Sequence, residues 1–346
     1  MKKWVIRVIL ICFLVMPVSA MKFTAPEAPY SAQQYMPENK ETFAEGIWYI
    51  IKAAASSLQP EFVSALRTCL SLIVSVLLMS ILRSFSENVA GSVHLIGAVI
   101  VGILLLEPMD SMIRLGVRTV TELSEYGKLL LPVMTAAVAA QGGTVSSAAL
   151  YTGTVFFDAL LTTIITLFVA PALYIYLCLC VAVSAVEQEM LKKVRDFVKW
   201  LMTWCLKTVL YVFTGYISIT HVISGTVDSS ALKAAKLTIS GMVPVVGGIL
   251  SDASETILVS AGVMKNAAGV YGIFAIFAVC VSPFLQIGMQ YLLLKITSAV
   301  CNIFGHKPTV GLICDFSSGM GFALAMTGTV CMLLLISLVC FMKGMS

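Results

Sequence analysis

Three carboxylates stand where an apolar chain has little reason to place them. Asp158 separates two uncharged runs, 129–157 and 159–186, while Asp252 and Glu255 fall within a glycine-rich apolar passage covering 241–271. An ionisable side chain at bilayer depth costs roughly 3 kcal/mol on insertion scales, so it normally faces a bundle interior or a water-filled cavity. Such residues mark pathways, gates and proton relays. Asp252 and Glu255 are three apart and share a helical face. The plain alternative for all three is a polar helix end or an interfacial position.

The backbone around these acids has its own signature. Passages 131–147 and 241–271 carry Gly142-Gly143 and Gly247-Gly248 together with Pro132 and Pro244. Paired glycines and proline interrupt helices, and interrupted backbone at membrane depth survives only when buried in protein or lining a cavity. The candidate pathway or gating residues are therefore Asp158, Pro244, Gly247, Gly248, Asp252 and Glu255. Close helix packing by small residues is the structural alternative.

Catalytic chemistry finds no support. His94, His221 and His306 are scattered, and there is no HExxH, G-x-S-x-G, GxGD or phosphate-loop pattern. The ten cysteines lie mostly in apolar runs, and Cys178 and Cys180 lack a neighbouring histidine. They read as small hydrophobic residues rather than metal ligands. The sequence thus points to no enzyme, cofactor or metal, and without basic patches interleaved with aromatics it points to no nucleic acid.

The elements that must position these residues are membrane helices. Of 346 residues, 59% are apolar or aromatic and 12% are charged, about half the charge of a soluble domain. The fold class is all-α, a polytopic transmembrane bundle with glycine- and proline-broken helices. Uncharged runs at 68–82, 88–106, 129–157, 159–186, 208–227, 237–251, 266–294 and 316–342 imply eight to ten membrane elements in a domain covering 61–346. Pro171 and Pro283 are expected to divide two of these runs into helix pairs. Between spans, 107–128 reads as an amphipathic interfacial helix, with Asp110, Arg114, Arg118, Glu122 and Glu125 on one stripe.

Residues 1–20 carry Lys2, Lys3 and Arg7, an apolar stretch and Val18-Ser19-Ala20, the pattern of a cleaved signal peptide. Residues 21–60 then form an extracytoplasmic linker followed by an amphipathic helix with Trp48 and Tyr49, suited to interfacial anchoring on lipid. A weak internal repeat occurs at an offset of 112. It pairs Arg83 with Arg195, Pro132 with Pro244 and Pro171 with Pro283. Lys192, Lys193, Arg195 and Lys199 form the strongest basic cluster and are the candidate cytoplasmic edge. If each repeat makes four crossings, Arg83, this cluster and His306-Lys307 share one side; with three crossings Arg195 falls opposite. Charge favours the first arrangement and parallel copies.

The stretch GMVPVVGGILSDASETILVSAGVMKNAAGVYG at 241–272, with the signal peptide, the expected proline-hinged helices and the C-terminal span, resembles the stage III sporulation protein AE family. The resemblance covers nearly all of the chain after the signal. It implies a multi-pass protein of the outer forespore membrane, made in the mother cell and belonging to the channel complex of stage III sporulation proteins AA to AH, which joins stage II sporulation protein Q. It carries over no catalytic residues, and homo-oligomerisation is left open. It would assign any ATP-driven step to protein AA. The alternative reading is a self-contained permease for a small solute, working at the repeat interface.

Overall fold

The computed structural model describes residues 25–37, 42–85, 90–242 and 247–343, with side chains described outside 85–94, 221–261 and 264. The signal-peptide reading and Pro244 lie outside the described residues. All regular structure in the described residues is helical.

A short turn of helix, α1 (Tyr30–Gln33), precedes α2 (Phe43–Ser56). Helix α2 opens with a capping interaction in which the Glu45 carboxylate accepts the Thr42 N–H at 2.9 Å. Its buried positions Gly46, Ile50 and Ala54 recur every four residues, leaving Trp48 and Tyr49 exposed. After a bend at Ser57 and Leu58 the chain enters α3 (Gln59–Phe85) and then α4 (Ala90–Ala140). Helix α4 is 51 residues long, about 75 Å at 1.5 Å per residue.

The expected interfacial helix at 107–128 is the middle of α4. Its faces are as the periodicity requires: Met109, Ile113, Val120 and Leu123 are buried, while Arg114 and Arg118 are exposed. It does not lie apart, because flanking apolar turns extend the same helix in both directions.

Helix α4 ends at the first glycine pair. Gly142 has φ 94°, a conformation that side chains with a Cβ rarely adopt, and Gly143 N–H donates to the Val138 carbonyl at 3.1 Å. Next comes α5 (Thr144–Ile164), a π-helical turn (Ile165–Val169) and α6 (Ala170–Val186). The π turn immediately precedes Pro171, which cannot donate to residue 167. One irregular turn thus absorbs the proline, and the helical path continues.

Helix α7 (Glu189–Met242) and α8 (Gly247–Cys301) form a second long hairpin, followed by α9 (Lys307–Lys343). Pro283 sits inside α8 rather than dividing a helix pair. Losing one hydrogen bond costs less than exposing a whole helix end in apolar surroundings. At the α8–α9 turn a Cβ on Gly305 would lie 2.6 Å from the Cys301 carbonyl oxygen, so this close approach needs glycine.

The centre of the bundle is α4, α8 and α9, filled by Met109, Ile113, Ile287, Leu294, Phe316 and Met326. Outward residues including Leu70, Ile103, Leu167, Leu292 and Ile296 are apolar and more than half exposed. Among the described residues, five helical stretches are long and apolar enough to cross a membrane: Gln59–Ser84, Leu95–Ala140, Thr144–Val186, Lys265–Cys301 and Lys307–Lys343. An apolar exterior on such helices is suited to lipid.

Candidate functional site

The basic edges meet at one end of the bundle. Ser80 Oγ donates to the Phe304 carbonyl at 2.8 Å, and Arg83 and His306 line one cavity of about 240 Å³. Beside it, Ser184 Oγ donates to the Pro308 carbonyl at 3.1 Å, and Lys192, Arg195, His306, Lys307 and Asp315 line a second cavity of about 440 Å³. Both hairpins, α4 with α5–α6 and α7 with α8, therefore start and finish at this end. The two hairpins enter and leave on the same side, the direction that parallel copies of the expected repeat would have.

Within that end Arg195 is the organising residue. Its Nη1 donates to Asp315 Oδ2 at 2.6 Å, and its Nε and Nη2 donate to Asp196 Oδ1 at 3.0 and 2.9 Å. Partial burial works against the guanidinium charge, but the carboxylates of Asp315 and Asp196 outweigh it and push the Arg195 pKa up. Lys192 pairs with Glu189 at 2.7 Å. Lys193 is exposed and Lys199 half-buried. One turn further along α7, Phe197, Trp200 and Trp204 stack in sequence with centroids 5.9 and 6.3 Å apart, all more than half exposed.

Asp158 lies far from this end, on α5. It is 3% exposed, and Ser124 Oγ of α4 donates to its Oδ2 at 2.6 Å. Its Oδ1 is buried without a hydrogen-bond partner among the described residues. One turn earlier, Thr154 donates to Ser337 of α9 at 3.0 Å. Phe157 sets its ring against Phe213 and Tyr216 of α7. Asp158 thus occupies the α4–α5 seam, with α7 and α9 one step away.

The side chains of the other sequence candidates, Asp252 and Glu255, lie outside the described residues. Gly247 and Gly248 open α8, and Asp252 and Glu255 follow in its second and third turns. Fifteen residues, about 22 Å of helix, separate Gly247 from Gly262, the position whose Cβ would meet Gln141 at the α4–α5 turn.

Sequence reasoning missed Asp315, the lone acid in residues 307–343. It also missed a polar crevice where Glu61, Glu107, Gln286 and Gln290 converge from α3, α4 and α8. The signal was available: Glu61, Ser64 and Thr68 share one face of an apolar helix, and Gln286 and Gln290 share another.

An all-α bundle with long apolar helices, an apolar exterior and one basic end defines a polytopic membrane protein. Residues 30–344 match the family described as stage III sporulation protein AE, and the chain belongs to that family. It is similar to stage III sporulation protein AE of Bacillus subtilis (strain 168), with 21% identity over 267 residues, covering 77% of this chain and 67% of that protein. No solved structure matches.

Proposed function

We propose that this chain is an integral component of the channel complex joining mother cell and forespore during sporulation. It is set in the outer forespore membrane, with its basic end in the mother-cell cytoplasm. Its partners are the stage III sporulation proteins AA to AH and, through them, stage II sporulation protein Q. Family membership supports the sporulation role. One observation carries the orientation: Arg83, Lys192, Arg195 and Lys307 meet at a single end, as positive-inside topology requires. The Phe197–Trp200–Trp204 ladder beside them is placed as an interfacial aromatic belt.

The lengths fit one bilayer at this end. From Ala90 to Asp110, α4 rises about 30 Å, one hydrocarbon thickness. The exposed polar stripe at Asp110, Arg114 and Arg118 begins there, and we assign it to the far boundary. The remainder of α4 extends beyond.

Asp158 and the 241–271 passage, with Pro244, Gly247, Gly248, Asp252 and Glu255, remain the proposed pathway or gate. The buried, unpartnered Oδ1 of Asp158 also favours the second reading, a self-contained permease. Topology and association separate these readings. A reporter fused after Lys199 should be active only in the cytoplasm, and one after Gly142 only outside it; the opposite pattern overturns the orientation. During sporulation the protein should co-purify with AA-to-AH proteins. Recovery as a free protein that transports alone selects the permease.

A further inference from the structure

Three apolar helices each carry a polar stripe that the sporulation role does not use, and the fold brings these stripes together. Glu61, Ser64 and Thr68 lie on α3, Glu107 and Ser111 on α4, and Gln286 and Gln290 on α8. All seven line one cavity of about 290 Å³, room for roughly ten waters at about 30 Å³ each. The polar side chains there are two carboxylates, two amides and three hydroxyls, and no lysine, arginine or histidine lines the space among the described residues. Arg114, the next basic residue along α4, is engaged with Asp110 at 2.8 Å.

Two of these groups bring buried polar atoms to the cavity. Gln290 is 5% exposed and lines the cavity, and no hydrogen bond of its amide is described. Glu61 Oε2 is buried and equally without a hydrogen-bond partner. A buried carboxylate oxygen such as Glu61 Oε2 bears the loss of hydration unless something in the cavity replaces it, while Glu107 reaches the same cavity from an exposed position. Oxygen donors alone, with two formal negative charges and no cation from the protein, match the coordination of a hard metal ion.

We propose that this cavity binds a hard divalent cation, Ca²⁺ or Mg²⁺. The carboxylates of Glu61 and Glu107 balance its charge, the amide oxygens of Gln286 and Gln290 supply neutral ligands, and water fills the remaining positions. No cluster of three or more His, Cys, Asp or Glu capable of holding a metal occurs among the described residues. The site is therefore a partly hydrated, two-carboxylate one rather than a closed protein cage. Bound there, the ion would tie α3 to α4 and α8.

The test is titration of the purified full-length protein in detergent with Mn²⁺, read by electron paramagnetic resonance, with Ca²⁺ and Mg²⁺ as competitors. One Mn²⁺ should bind per chain and be displaced by Ca²⁺ or Mg²⁺. Glu61→Gln and Glu107→Gln should each weaken binding at least tenfold, whereas Asp110→Asn, outside the cavity, should leave it unchanged. Gln290→Met keeps the volume, removes the amide oxygen and should weaken binding severalfold, which covers the case in which a glutamate variant fails to fold. Absence of binding in the unmodified protein overturns the proposal. So does equal affinity in folded glutamate variants, or in Gln290→Met if those do not fold.

Discussion

Asp315 and Asp158 are both acids within an apolar bundle, and the fold compensates them by different means. The Asp315 side chain is 21% exposed and receives the Arg195 guanidinium at 2.6 Å. Asp158 is 3% exposed and receives one hydroxyl, also at 2.6 Å. The first arrangement balances charge with charge and fixes α7 against α9 at the basic end. The second holds a carboxyl between α4 and α5 on one hydroxyl, with no ion pair among the described residues. A charge-paired acid and a hydroxyl-held acid are thus built from the same residue type, and what separates them is the neighbour.

The strongest way to break this comparison is to remove the guanidinium. Breaking a fully buried pair costs about 3–5 kcal/mol, and this pair retains some solvent contact, so Arg195→Met should lower stability by about 2–3 kcal/mol. Thermal unfolding in detergent measures the loss. Adding Asp315→Leu should restore most of it, because the penalty comes from the stranded carboxylate. If the single variant unfolds like the parent, Asp315 is a solvated acid and the contrast with Asp158 disappears.

How much of this was legible in the sequence depended on the distance over which each signal acts. Helical period is local, so the buried and exposed faces of 107–128 were readable in advance. The basic edges were readable because charge is sparse, and the structure joins Arg83, Arg195 and Lys307 at one end. The continuity of α8 through Pro283 was not readable, since proline's local tendency to interrupt was opposed by surrounding helices that only the fold supplies. The Arg195–Asp315 pair is 120 residues apart in sequence, and no local pattern announces such a partner. The Glu61, Glu107 and Gln290 cavity was hidden similarly: each stripe is a modest feature of one helix, and its meaning arises where three helices meet.

A smaller effect sharpens the Asp158 side. Ser124→Ala removes the hydroxyl and leaves the buried carboxyl without a described hydrogen bond, an expected loss of about 1–2 kcal/mol. The same unfolding measurement reads it. Asp158→Asn supplies the contrast, because an amide oxygen still accepts from Ser124; it should keep more of the stability than Ser124→Ala while lowering spore yield. Parental spore yield with Asp158→Asn would make Asp158 a packing residue and remove it from the proposed gate.

The smallest expected effect tests what exposed charge means on this molecule. Arg114 Nε meets Asp110 Oδ2 at 2.8 Å, but the two side chains are 76% and 40% exposed, and a solvated i,i+4 pair contributes only about 0.3–0.5 kcal/mol. Asp110 also accepts the Tyr174 hydroxyl at 2.7 Å, so Arg114→Gln leaves it with a partner, unlike Arg195→Met at Asp315. The variant should therefore unfold within about 0.5 kcal/mol of the parent. That result fits a stripe in water at the far boundary assigned to α4. A loss several times larger would mean that water does not screen this pair, placing Arg114 and Arg118 against lipid or another protein. The polar stripe would then be a contact surface, and the membrane boundary would have to move along α4.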